Sequence, residues 1–153
     1  MVNMEAHLSK SVVAQRLPVF VTSTHQYWGS LVKICGTGPS GEETYFRLLY
    51  CDWDLVLDGR TVADSSLPSK DNQSGLALLV GRSINNFIVD AETHRVIFSC
   101  SDGLLISLTA NLPEYEEDDQ MLLMCLPDAY ISYSPKLGLV AEPRSPETDA
   151  LNT

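Results

Sequence analysis

The feature that most restricts how this chain can fold is a series of short apolar segments between Leu76 and Thr109, LALLVGRSINNFIVDAETHRVIFSCSDGLLISLT. Leu76 to Val80, Phe87 to Val89, Val96 to Phe98 and Leu104 to Leu108 are rich in apolar and β-branched residues, and each is bounded by Gly, Asn, Asp or Ser. That pattern predicts a meander of short strands. Asp90 opens the sequence Asp90-Ala91-Glu92-Thr93-His94 between two of the segments, where its carboxylate can accept backbone hydrogen bonds and close a tight turn. Asn86 to Cys100 therefore reads as a hairpin, and with its flanking strands it forms the middle of an antiparallel sheet.

The flanks extend the same architecture. Leu8, Val12, Val13 and Leu17 recur near helical spacing, with Ser9 as N-cap and Pro18 as stop, which predicts a short helix. Val19 to Thr24 and Tyr27 to Cys35 read as strands separated by a polar break at His25 and Gln26. A second hairpin follows, with Thr44 to Cys51 returning after the loop GTGPSGEE. Trp53 to Leu57 and Arg60 to Ala63 flank Asp58-Gly59, a dipeptide suited to a two-residue turn. Ser65 to Ser74, SSLPSKDNQS, reads as the mobile internal loop. Beyond the meander, Met121 to Leu126 reads as a strand or a helical turn, and Ala129 to Ser134 and Leu137 to Val140 as strands.

These elements predict a single α+β domain over residues 1–141, mostly antiparallel meander with one or two short helices. The 12 residues from Glu142, EPRSPETDALNT, have few apolar side chains and two prolines, and read as a disordered C-terminal tail over 142–153. A chain of 153 residues with 44% hydrophobic content supplies one core rather than two. Its apolar runs are strand-sized, and no basic-then-apolar leader precedes them, so the expectation is a soluble cytoplasmic protein. Cys35, Cys51, Cys100 and Cys125 are widely spaced, three of them within apolar runs and with no Cys-x-x-Cys pair, and read as reduced, mostly buried thiols.

Two motifs compete for a functional role. Gly36-Thr37-Gly38-Pro39-Ser40-Gly41 follows an apolar strand and has the spacing of a dinucleotide fingerprint, with Asp58 downstream as a ribose-binding acid. Glu42 and Glu43 oppose that reading, because they set two negative charges where a pyrophosphate would meet a helix N-terminus. No cofactor is therefore expected, and the loop reads as a hairpin connection. His7, His25 and His94 have no metal-ligand spacing to one another or to a cysteine, so neither a metal site nor a catalytic residue is assigned.

The second motif is acidic. Asp and Glu number 20 against 10 Lys and Arg, a formal net charge of −10, which repels nucleic acid and anionic membranes and speeds encounter with basic proteins. Glu114, Glu116, Glu117, Asp118 and Asp119 interleave with Tyr115 directly after the meander, and read as a partner-binding surface with an aromatic anchor.

The meander read as LLVG, FIVD-AETH-RVIF and ISLTANLPEY, over about residues 76–115, resembles the central hairpin of SUKH-superfamily immunity proteins. In those proteins a strand ending in an acidic residue turns through a Thr-containing loop into a second strand, and a Ser-rich segment follows. The resemblance implies a non-enzymatic antitoxin that covers the positive surface of a basic, nucleic-acid-directed toxin. Three other functions fit the composition: an acidic secretion chaperone or adaptor, a phage or viral inhibitor imitating nucleic acid, and a small nucleotide- or flavin-binding protein using GTGPSG. Titration with flavin and nicotinamide nucleotides separates the last from the rest. The expected result is no saturable signal, and micromolar binding abolished by a bulky residue at Gly38 contradicts it.

Overall fold

The computed structural model describes residues 13–28, 31–90, 92–110 and 120–144. The protein is a single α+β domain dominated by an open antiparallel sheet, with two short α-helices among the described residues. Helix α1 is described at residues 13–15. The strands are β1 (Val19–Trp28), β2 (Leu31–Thr37), β3 (Glu43–Leu48), β4 (Asp52–Leu57), β5 (Arg60–Asp64), β6 (Ser83–Asp90), β7 (Arg95–Cys100), β8 (Leu104–Thr109), β9 (Leu122–Cys125), β10 (Ala129–Ser134) and β11 (Gly138–Pro143). Helix α2 (Ser69–Ala77) sits between β5 and β6. The strand order is β11-β10-β9-β3-β2-β1-β6-β7-β8-β4-β5, so the meander β6-β7-β8 lies inside the sheet as its turn chemistry requires.

Strand β1 joins the two halves of the sheet. Val19 and Phe20 pair with Ile84 and Ser83 of β6, whereas Phe20 to Trp28 pair along β2 with two register shifts. The sheet curls at this strand, because Phe46 of β3 and Phe98 of β7, with three strands between them in the order, meet edge-to-face at 5.3 Å. Alternate residues of both halves point into one core that includes Val32, Ile34, Phe46, Leu48, Trp53, Leu55, Phe98, Leu104, Ile106, Met124 and Tyr133. The other alternation set forms the two outer faces.

Several local expectations hold at the level of turn chemistry. Asp90 Oδ1 accepts from the Glu92 and Thr93 N–H groups at 3.0 and 3.4 Å, which closes the β6–β7 hairpin. Asp58 and Gly59 take φ of 50° and 82°, the left-handed pair that a two-residue hairpin turn needs. All four cysteines are free, with Cys51, Cys100 and Cys125 buried and Cys35 half-buried.

Other expectations require correction. His25 and Gln26 do not break a strand: β1 runs through them to Trp28, and Gln26 is buried there as a partner of Asn72. Leu76 to Val80 is not a strand, and Ser65 to Ser74 is not a loop throughout, since Ser69–Ala77 is α2 and Leu78 to Val80 are turn residues. The helix was obscured because its buried face is Asn72, Gly75 and Leu76, continued by Leu79, and two of those residues carry no apolar signal. Gly75 packs so tightly on β5 that an added Cβ would collide with the Val62 carbonyl oxygen. The last strand reaches Pro143, two residues into the stretch expected to be tail.

Asn72 fastens α2 to the sheet. Fully buried, it accepts from the Asp64 N–H at 3.1 Å, and its Nδ2 donates to the carbonyls of Asp64 at 2.8 Å and Leu67 at 3.3 Å and to Gln26 Oε1 at 3.0 Å. Truncating it takes one partner each from the Asp64 N–H, the Asp64 and Leu67 carbonyls and the Gln26 side-chain oxygen. Asn72→Ala is expected to lower stability by about 3 kcal/mol in urea denaturation, more than any exposed α2 substitution. A loss within the error of an exposed α2 variant contradicts this role.

Candidate functional site

The outer face of the β8-β4-β5 region carries a groove of about 330 Å³ lined by Asp52, Trp53, Asp54, Thr61, Asp64, Ser65, Ser66, Ser107 and Thr109. Strand alternation explains its polarity. Trp53 and Leu55 turn into the core, so Asp52 and Asp54 face out. On the neighbouring strand, Thr109 lies opposite Asp52 and Ser107 opposite Asp54.

Asp64 reaches the same face through a bulge. The turn pairs Leu57 with Arg60 and Val56 with Thr61, and regular continuation would set Asp54 opposite Ala63. A register shift after Val56 instead pairs Leu55 with Ala63 and Asp54 with Asp64. The one-residue slip keeps Ala63 in the core and turns Asp64 outward beside Asp54. Two carboxylates directly opposite each other on one face are a cost to the sheet.

The surroundings treat the two acids differently. Asp64 Oδ1 accepts from the Ser66 N–H at 2.8 Å and from the Ser66 hydroxyl, which satisfies it locally. Ser65 is pinned by reciprocal bonds: its Oγ accepts from the Trp53 N–H at 3.1 Å and its own N–H donates to the Trp53 carbonyl at 2.9 Å. Asp54 differs, because its Oδ1 is buried without a hydrogen-bond partner. Burial pushes the Asp54 carboxyl above its ordinary value, the Arg95 guanidinium opposes that shift, and the Asp64 charge adds to it. Arg95 stands at the edge of the groove, with Nε donating to Ser107 Oγ at 2.7 Å, and makes no ion pair with Asp54 among the described residues. The groove thus presents hydroxyls and three carboxylates, Asp52 exposed, Asp64 hydrogen-bonded and Asp54 under-satisfied, a set suited to receiving a cationic donor. No group of three or more His, Cys, Asp or Glu among the described residues is arranged to hold a metal ion.

The acidic stretch singled out in the sequence, Glu114, Tyr115, Glu116, Glu117, Asp118 and Asp119, lies outside the described residues. The glycine motif is a β2–β3 hairpin connection. There the Gly38 N–H donates to the Glu42 carbonyl at 2.8 Å, the Gly41 N–H to the Gly38 carbonyl at 3.0 Å, and the Ser40 N–H to Glu42 Oε2 at 2.8 Å. The loop's own carboxylate occupies a donor that a phosphate would need. Sequence reasoning missed the Asp54–Asp64 pair. The alternation of Asp52-Trp53-Asp54-Leu55 was a usable signal for two outward acids, but their pairing with Asp64 depends on the bulge.

Comparisons with protein-family models, with curated proteins and with solved structures give no significant match. No helix among the described residues is long and apolar enough to cross a membrane.

The direction of the Asp54 shift fixes a stability prediction. A carboxyl whose folded pKa is raised binds more protons folded than unfolded, so its contribution is most favourable below the ordinary carboxylate range and is lost as pH rises through the folded value. Asp54→Asn is therefore expected to raise the unfolding free energy at pH 7, with the gain shrinking as pH falls toward 4. Urea titrations at the two pH values check this, and a destabilised variant at pH 7 contradicts it.

Proposed function

We propose that this protein is a non-enzymatic binding module that captures a basic protein through the Asp52–Asp54–Asp64 groove. The observation that carries the reading is the unpartnered, partly desolvated Asp54 carboxylate placed opposite a second carboxylate by a bulge. A fold does not need that arrangement, and a Lys or Arg side chain supplies what it lacks: opposite charge, hydrogen-bond donors and release from like-charge repulsion. The net charge of −10 adds long-range steering toward a basic surface. The resemblance of residues 76–115 to SUKH-superfamily immunity proteins gives the partner its most concrete form, a basic toxin neutralised in the cytoplasm. In that form Glu114, Glu116, Glu117, Asp118 and Asp119, with Tyr115, act alongside the groove.

Binding of the basic partner recovered from the native host is expected to weaken by tenfold or more at low salt in Asp54→Asn/Asp64→Asn, while the variant folds at least as stably as wild type. High salt should narrow the difference. A companion variant neutralising the five acids of 114–119 should lower the association rate at low salt and show a shallower salt dependence than wild type. Calorimetry that finds a basic partner held equally tightly by wild type and both variants, at every salt concentration, overturns the reading.

A further inference from the structure

A like-charge pair of opposite sign occurs on the other half of the sheet. Lys33 of β2 lies directly opposite Arg47 of β3, both on the outer face, since Val32, Ile34, Phe46 and Leu48 fill the core. Two cations set opposite each other destabilise a strand pair. Among the described residues neither has a carboxylate at ion-pair distance, although the chain holds twice as many acids as bases.

Both cations are held up by one aromatic ring. Lys33 Nζ lies 4.5 Å from the Tyr45 ring centroid and the Arg47 guanidinium carbon 5.6 Å from it. Burial, followed by the hydrogen bond with Cys125, pushes the Tyr45 phenol up to about 12.

Lys33 and Arg47 also rim a hollow of about 260 Å³ whose remaining lining is Tyr27, Leu31, Val32, Leu48 and Leu49. Tyr27 stands 56% exposed at its edge. The hollow is small beside an ordinary small-molecule pocket, which spans roughly 300–1,000 Å³, and is sized for a single large side chain. An apolar socket bordered by two unpaired cations matches an apolar anchor residue with a carboxylate next to it in sequence. The groove at Asp54 shares no residue with this hollow.

We infer that the Tyr27–Leu31–Leu49 hollow with Lys33 and Arg47 is a second docking site, which takes a segment of a partner protein carrying a large apolar residue beside an Asp or Glu. The apolar side chain fills the hollow and the neighbouring carboxylate bridges Lys33 and Arg47, relieving their repulsion. The protein then engages partners of opposite charge on the two halves of its sheet.

The test is an NMR titration of the full chain with the blocked peptide N-acetyl-Gly-Phe-Asp-Gly-amide, its Asn analogue, and octanoate. The Asp peptide is expected to give saturable shifts at the amides of β2, β3 and Leu49 and none at Asp54. The Asn analogue should bind about tenfold more weakly. Lys33→Gln and Arg47→Gln should each reduce that preference, and Tyr27→Ala should weaken both peptides alike; well-dispersed spectra of the variants show that the fold is kept. The inference is overturned if the Asp peptide gives no saturable shifts, if the Asn analogue binds equally, if the shifts map elsewhere, or if octanoate binds and the peptide does not. Failure here leaves the Asp54 groove untouched, because its variants are read with a basic partner.

Discussion

The contact between Phe46 and Phe98 is the constraint on which the rest of the structure depends. The two rings belong to strands with three others between them in the same sheet, yet their centroids are 5.3 Å apart. They can meet only if the sheet curls about β1 and closes its two halves on one core. Once it does, strand alternation leaves no freedom about the opposite face. Val32, Ile34, Phe46 and Leu48 going in means Lys33, Tyr45 and Arg47 going out. Trp53 and Leu55 going in means Asp52 and Asp54 going out. The hydrophobic core thus determines where the charges stand, since a register slip of one residue would bury them.

That coupling gives a physical criterion for functional residues. Scattered surface charges contribute little to stability and need no explanation. Asp54 opposite Asp64 and Lys33 opposite Arg47 are different, because each pair sets like charges directly across a strand boundary and each costs the sheet something. In the first pair the cost is increased by burial of a carboxylate oxygen without a partner. In the second it is moderated by the Tyr45 ring. On the proposed reading, stability sacrificed locally, within a sheet otherwise well paired, marks the places where a ligand of opposite charge would complete the structure.

Much of the fold was legible in the sequence because strands with one buried face announce themselves by period two. The hairpin closed by Asp90, the Asp58-Gly59 turn, the β2–β3 hairpin around the glycine loop, and the strand at 129–134 follow from that signal and from turn residues, whereas the apolar run at 121–126 left strand and helical turn both open and is β9. Helix α2 was not legible, since its buried contacts are an amide and a glycine as well as leucines, and Asn72 looks like a loop residue until its four hydrogen bonds are seen. The continuity of β1 was hidden for the same reason, with buried Gln26 acting as the partner of Asn72. The Asp54–Asp64 pair was out of reach for another reason: the bulge that aligns them is a property of the β4–β5 ladder and leaves no mark in residue types. The charge of −10 pointed to a basic partner, but net charge carries no information about which acids are gathered into a groove.

The central claim is that Asp54 is kept partly desolvated and unpartnered until a cation arrives. Its carboxyl titration, followed by carbon-detected NMR in the free protein and with saturating basic partner, tests this most directly. The account requires a midpoint above the ordinary carboxylate range in the free protein and a fall below it in the complex, as a Lys or Arg takes up the vacant oxygen. A midpoint that does not move on binding, or one already depressed in the free protein, would contradict it.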